Sequence, residues 1–282
     1  MSFGSQEESR QLGEPVNLYQ FRYGPGANDV FCYTDCEEQV VFNGLTFIPT
    51  PIDRDNITSK TSLDKAELEI RTLQDTQLAN LFRYYPPSEV VTLVIFQGHN
   101  QDVSQQWLAA WSGRVLGFKI DGNMAHYTCL PVSTSMQRPG LRRHYQYGCP
   151  HLLYGQGAGR CNANKAAATI TRTVSALFSN AVELPNSWET DSARKLKYAN
   201  GMIEWTGGGR TERRTILDIQ SDNRLLLSGP VRNLTVGATV SISLGCNHKM
   251  DDCASLHNNI VNFGGQPYIP LKNPVGIRNN FY

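Results

Sequence analysis

Residues 200–246 read NGMIEWTGGGRTERRTILDIQSDNRLLLSGPVRNLTVGATVSISLGC. Residues 200–205, 215–220, 224–227 and 239–244 are short runs, each carrying apolar residues such as Ile, Leu, Val, Met or Trp. Between them stand Gly207-Gly208-Gly209, Ser221-Asp222-Asn223 and Val236-Gly237, which supply the backbone freedom and local hydrogen bonds that turns need. Short strands of even spacing broken by turn residues predict a small barrel or sandwich. Residues 169–175 add a strand upstream. The module lies between two pairs of cysteines, Cys149 with Cys161 and Cys246 with Cys253.

The first half reads as β as well. In residues 40–48, VVFNGLTFI, Asn43-Gly44 sits between apolar residues and predicts a hairpin. Residues 65–72 alternate, with Ala66, Leu68 and Ile70 on one face. Asp75 is placed to cap a short helix carrying Leu78, Leu81, Phe82 and Tyr85 at helical spacing, which Pro86-Pro87 ends. Residues 89–97 form a core strand and residues 107–111 a strand or partner hairpin. Residues 113–120 and 124–130 pair around Asp121-Gly122-Asn123. The expected fold is mainly β, with two β domains and short helices. The expected boundaries are a flexible leader at 1–15, an N-terminal domain at 16–132, a linker at 133–140 and a C-terminal domain at 141–282.

Composition narrows the classes. The 282 residues carry 26 basic and 25 acidic side chains, a net charge of +1. Nucleic-acid coats and polybasic membrane anchors need a charge asymmetry that this balance lacks. Twenty-four glycines and twelve tyrosines suit turns and strands. The polar start MSFGSQEESRQLGEP has no apolar signal region, and residues 90–96 are too short to span a bilayer. These features predict folding in the cytosol and no membrane anchor of its own.

The chain has seven cysteines. In a reducing compartment clustered cysteines bind metal or stay reduced more often than they form a disulfide framework. Cys149 and Cys161 lie in GCPHLLYGQGAGRC, eleven residues apart, and Cys246 and Cys253 in GCNHKMDDC, six apart. Neither pair has the two-residue spacing of a zinc knuckle. Longer loops suit a bulky iron–sulfur cubane, and Arg142, Arg143, Arg160 and Lys249 are at hand to offset its charge. Spacing alone leaves three readings open: a cluster, zinc completed by His144, His151, His248 or His257, and ordinary thiols or disulfides. Cys32, Cys36 and Cys129 read as ordinary thiols.

Enzymatic chemistry finds no motif. A Cys-His peptidase needs its thiol at a helix start with an orienting third group, and neither Cys149 nor Cys161 precedes a clear helix. Gly207-Gly208-Gly209-Arg210 lacks the Gly-Lys-Ser/Thr end of a phosphate loop. Glu37-Glu38 and Asp251-Asp252 read as solvated turns, and Arg142-Arg143 and Arg213-Arg214 as surface or interface charges.

One ordered set of motifs remains: Cys149-Pro150, Cys161-Asn162-Ala163, the β module, Gly245-Cys246, Cys253, and Phe263-Gly264-Gly265-Gln266-Pro267. This order resembles the baseplate hub, or tail tip, proteins of long-tailed phages and gene transfer agents, a family that includes the tail tip protein L of phage lambda. The segment VFNGLTFIPTPIDR and the hairpins after it are similar to the hub domain of the same family. The resemblance implies a virion tail protein assembled in the host cytoplasm, with no catalytic role. It implies a structural [4Fe–4S] cluster on Cys149, Cys161, Cys246 and Cys253. It also implies a homotrimeric ring between the distal tail protein and a central fibre or tip protein, with tape-measure protein and DNA passing through.

Overall fold

Asn43 and Gly44 both take positive φ, 50° and 75°, and fold the chain into the hairpin that their pairing predicts. The computed structural model describes residues 3–9, 13–24, 26, 29–57, 67–99, 102, 104–137, 144–220 and 223–270. Lys65 and Ala66 of the alternating stretch, Arg142 and Arg143, and Ser221 and Asp222 of one predicted turn lie outside them. The chain divides into two units, residues 1–139 and 140–282.

The first unit runs α1 (Phe3–Glu7), β1 (Pro15–Arg22), β2 (Val30–Thr34), β3 (Val40–Phe42), β4 (Leu45–Pro49), β5 (Ile52–Arg54), β6 (Leu68–Leu73), α2 (Gln77–Phe82), β7 (Thr92–His99), β8 (Leu108–Asp121) and β9 (Met124–Pro131). The strand order is β3-β4-β2-β1-β7-β8-β9-β6-β5. β4 pairs in parallel with β2, and β5 pairs with β6 at the far edge. Only Thr50 and Pro51 separate β4 from β5, and the Thr50 N–H still donates to Thr34 O at 3.0 Å. One bent segment therefore runs from β4, second from one end of the sheet, to β5 at the other end and closes it into a barrel, with β3 as a flap on the outside of β4.

The barrel core is aromatic. Phe21, Leu68, Ile70, Leu93, Ile95, Tyr127 and Cys129 are buried, and Phe82 and Phe118 pack against them. α2 adds Leu78, Ala79 and Leu81. Its first turn is capped by Thr76, whose hydroxyl accepts from Ala79 N, and not by Asp75 as the sequence predicts. Two further differences have long-range causes. Residues 108–121 form one continuous strand, because β8 pairs along its length with β7 and then β9. Residues 3–7 of the expected leader form a helical turn on β7, with Gln6 buried and Glu7 bonded to His99 at 3.1 Å.

The second unit contains β10 (Thr169–Thr173), β11 (Ala176–Leu177), β12 (Ala181–Glu183), α3 (Ser192–Leu196), β13 (Met202–Gly207), β14 (Arg210–Ile219), β15 (Arg224–Leu227) and β16 (Thr239–Ser243). Gly208 and Gly209, both at positive φ, make the predicted β13–β14 turn. The order is β10-β16-β13-β14-β15-β12-β11. Here the two edge strands, β10 and β11, are one bent segment, interrupted only by Val174 and Ser175. Val174 N donates to Ala238 O on one side and Ser175 N to Glu183 O on the other. Trp188, Tyr198, Ile203, Trp205, Ile216, Leu225 and Ile242 fill this barrel.

Arg214 corrects the reading of Arg213-Arg214 as surface charge. It is 2% exposed, bonds Glu212 at 3.1 Å, donates to Pro230 O at 3.2 Å and lies over the Trp205 ring. It alternates inward on β14, where Glu212 and the nearby Arg232 form a buried charge cluster with it.

Candidate metal centre

The cysteine loops leave the C-terminal barrel at the end of β16. At Gly245 a Cβ would stand 1.8 Å from the Ala199 carbonyl, so only glycine passes there. Tyr154 OH donates to Leu244 O at 2.6 Å and His257 Nε2 bonds Gly245 O at 2.8 Å, which fixes the exit of Cys246. Asp252 then shapes the loop. It is 5% exposed, accepts from Asn247 N at 3.1 Å and pairs with Lys197 at 2.8 Å. Asp252 is thus a buried pin and not the solvated turn residue expected from sequence. The helical turn that follows, Asp252–Leu256, carries Cys253.

The upstream loop is stitched to this one. Cys149 N donates to His248 O at 2.7 Å, and His248 Nδ1 bonds Cys149 O at 2.9 Å in return. Asn259 Nδ2 donates to Cys161 O at 2.5 Å. His151 Nδ1 bonds Asn262 O at 3.1 Å. Gln266 N donates to Gln146 O at 2.9 Å.

Cys149, Cys161, Cys246 and Cys253 all line one small cavity, so both distant pairs arrive at the same place. N–H groups face the sulfurs. Gly264 N lies 3.4 Å from Cys149 Sγ, His248 N 3.3 Å from Cys246 Sγ and Asn259 Nδ2 3.8 Å from Cys161 Sγ. Cys253 Sγ donates instead to Asn259 O at 3.2 Å. A Cβ at Gly264 would meet the His151 ring at 2.6 Å, so glycine is what brings this N–H to the sulfur. Asn259 is the member that sequence reasoning missed. One Asn among three in residues 258–262 carries no local signal of a partner 98 residues away.

The remaining predicted groups divide. His151, His248, His257 and Lys249 line the cavity. His144 and Arg160 are exposed and do not line it. The three lining histidines each spend a ring nitrogen on a backbone carbonyl, which makes them loop pins. Cys32 and Cys129 are buried in the other unit, and every cysteine is free of disulfide bonding.

Burial, followed by repulsion from the neighbouring thiolates, pushes the Cys253 thiol up to about 11. Burial also raises Cys246, with the His248 N–H opposing and Asp252 adding to the rise. At Cys246 and Cys253 burial outweighs every neighbouring group that favours the thiolate. A positively charged metal core is the kind of group that would reverse these shifts. Among the described residues, no three His, Cys, Asp or Glu side chains converge closely enough to grip a single metal ion.

Comparisons with known proteins bear on this region. Residues 197–273 match the model of a family described as phage conserved hypothetical protein BR0599. That span begins just after α3, takes in β13 to β16, and includes Cys246, Cys253 and the Phe-Gly-Gly segment. An uncharacterized protein of Xylella fastidiosa (strain 9a5c) is 27% identical over 188 residues, which is 63% of this chain. The chain spans about 38% of the length of that relative. Among solved structures, a chain of the virion of a native gene transfer agent particle superposes with a TM-score of 0.75 at 16% identity. The overlap covers 99% of this chain and 97% of that one. The two chains share a fold. The overlap takes in both units of this chain.

Proposed function

We propose that this chain is a structural subunit of a phage-type virion tail, a baseplate hub that forms a ring below the tail tube. The observation that carries the reading is the end-to-end likeness to a virion chain, over nearly the full length of both molecules. The phage family match over residues 197–273 supports it independently. Exposed apolar side chains on the cysteine loops fit an assembled subunit better than a free one. Tyr145, Leu152, Val261 and Tyr268 are each more than 80% exposed. In this reading the ring is a homotrimer. Its neighbours are the distal tail protein and a central fibre or tip protein, and DNA and tape-measure protein cross its opening.

The cysteine centre holds a [4Fe–4S] cluster on Cys149, Cys161, Cys246 and Cys253. All four thiols line one cavity, which supports a thiolate-held centre there, and the long loops between the cysteines of each pair suit a multi-iron core better than the alternative, zinc. When bound, the cluster supplies four metal–thiolate bonds that cross-link the loops. The protein's part is to hold the loops at the right separation, through the His248–Cys149 and Asn259–Cys161 bonds, and to aim N–H groups at sulfur. A cross-link across so long an insertion removes about 4–5 kcal/mol of unfolded-state entropy by the chain-loop argument. The raised thiols of Cys246 and Cys253 suit neither nucleophile nor peptidase chemistry.

Anaerobic purification with elemental analysis tests the cluster. The expected result is about four iron atoms per chain and a broad absorbance near about 400 nm, both lost in Cys161→Ser. Zinc at one atom per chain, or colourless iron-free protein, overturns it. Gold labelling of the chain on intact particles tests the hub, with label expected at the tail tip. Label on the capsid or absent from particles refutes that assignment without touching the cluster.

A further inference from the structure

The N-terminal barrel carries a second concave site, remote in sequence from the cysteines. A groove of about 510 Å³ runs between the turn after α2, residues 82–86, and the middle of β8, residues 116–120. Its floor is the stacked pair Phe82 and Phe118, with ring centroids 5.4 Å apart. Three large apolar side chains converge on it while open to solvent: Tyr84 at 77%, Leu116 at 60% and Ile120 at 41% exposure. Leu116 is there because of a β-bulge. The β8–β9 register slips between Val115 and Gly117, so the extra residue leaves the alternation and turns outward. Bulges of this kind re-aim a side chain at a cost in ladder pairing. Both charged residues lining the groove, Arg83 and Lys119, are cations, and no carboxylate lines it among the described residues. Arg83 is held by its bond to Gln74 O at 3.2 Å. Glu69 lies near Lys119 across the sheet but outside the groove.

We propose that this groove docks an extended segment of a partner protein in which aliphatic or aromatic side chains flank a carboxylate. The volume accommodates two or three side chains of such a segment. Tyr and Arg beside exposed aliphatics make the composition of an interface anchor, not that of a solvated loop. The unbalanced cations select an acidic neighbour and reject a basic one.

The test uses the full-length chain and a random nine-residue peptide library displayed in vitro. Selection is made on the natural chain, with counter-selection on a chain bearing Leu116→Glu and Arg83→Glu. The expected peptides combine Leu, Ile or Phe with Asp or Glu and bind the double variant at least tenfold more weakly. Amidating their carboxylates (Asp to Asn, Glu to Gln) weakens binding similarly, and so does raising salt. Thermal melting confirms that each variant folds. Tyr84→Ser, a change in an exposed turn, gives a second variant with the same expected loss. The proposal is overturned if no peptide is enriched in a groove-dependent way. It is also overturned if the enriched peptides are basic or lack carboxylates, or if the chain binds anionic vesicles through this groove instead.

Discussion

The N-terminal barrel closes with a strand bent at Thr50-Pro51, and the C-terminal barrel with one bent at Val174-Ser175. The closures are alike, but the two barrels use cysteine differently. Cys32 on β2 is buried against Val16, Leu18 and Phe47, and Cys129 on β9 lies in the cluster of Ile70, Leu93 and Tyr127; burial pushes their thiols up to about 11 and about 12. Cys149, Cys161, Cys246 and Cys253 sit on loops outside the strands and turn toward one another. A thiol on a strand is positioned by the pleat and behaves as a small hydrophobe. A thiol on a glycine-rich loop is positioned by hydrogen bonds to that loop, and only there do four of them meet.

The largest expected effect breaks this contrast directly. In calorimetry of anaerobic protein, Cys161→Ser should lower the transition of the C-terminal unit, with a loss of about 4–5 kcal/mol. The N-terminal transition should not move. Cys129→Ala should do the opposite, at about 1–2 kcal/mol for one small buried group. If both substitutions shift the same transition by the same amount, the division of labour is wrong.

A second contrast is between charges. Glu212 and Arg214 are each about 1% exposed in side chain, inside the C-terminal barrel. Glu212→Ala removes the carboxylate that offsets the buried Arg214 charge and should cost about 3–5 kcal/mol in chemical denaturation. Glu69 in the N-terminal barrel pairs with His126 at 2.5 Å but is a third exposed. Glu69→Ala should cost under about 1 kcal/mol. Equal costs would mean that burial does not govern these pairs.

The turns sharpen the comparison further, because they are equally local in both barrels. Gly44 at φ 75° and Gly209 at φ 79° touch nothing a Cβ would meet, so Gly→Ala at either costs backbone strain alone. About 1–2 kcal/mol is expected at each, read from urea midpoints. Markedly unequal values would show that one hairpin is held by packing and not by its turn.

These turns were also the most legible part of the sequence. Asn43-Gly44, Asp121-Gly122-Asn123 and Gly207-Gly208-Gly209 act on their own φ angles, so no distant residue is needed to read them. The closures were illegible for the opposite reason. The parallel pairing of β2 with β4, and the sharing of one bent segment between distant strands of a sheet, depend on contacts that alternation does not encode. Burial of Arg214 and Asp252 was misread because a charge looks solvated until its partners, Glu212 and Lys197, are known to be near. At the candidate centre the four cysteines stood out by type and clustering. Asn259, and the aim of the Gly264 N–H, emerged only once the loops were folded against each other.

The smallest effect concerns pH. On the outer face of the N-terminal barrel Asp53 and Glu69 are held below the usual carboxylate range, chiefly by hydrogen bonds from Arg71 and His126 respectively. A carboxyl whose folded-state value is depressed binds its proton more readily when unfolded. The stabilisation is therefore fully present above the ordinary carboxylate values of 3.8 and 4.5, and is lost as pH falls through the depressed ones. Asp53 is 71% exposed in side chain, so solvent and salt screen its share. Arg71→Gln should flatten the acid side of the N-terminal unit's stability profile, measured by urea midpoints at low salt: its small loss of stability is greatest at pH 7 and vanishes as pH falls well below about 4. The C-terminal transition should keep its acid dependence in the same titration. If Arg71→Gln instead alters the C-terminal profile, the acid response does not belong to this face of the first barrel.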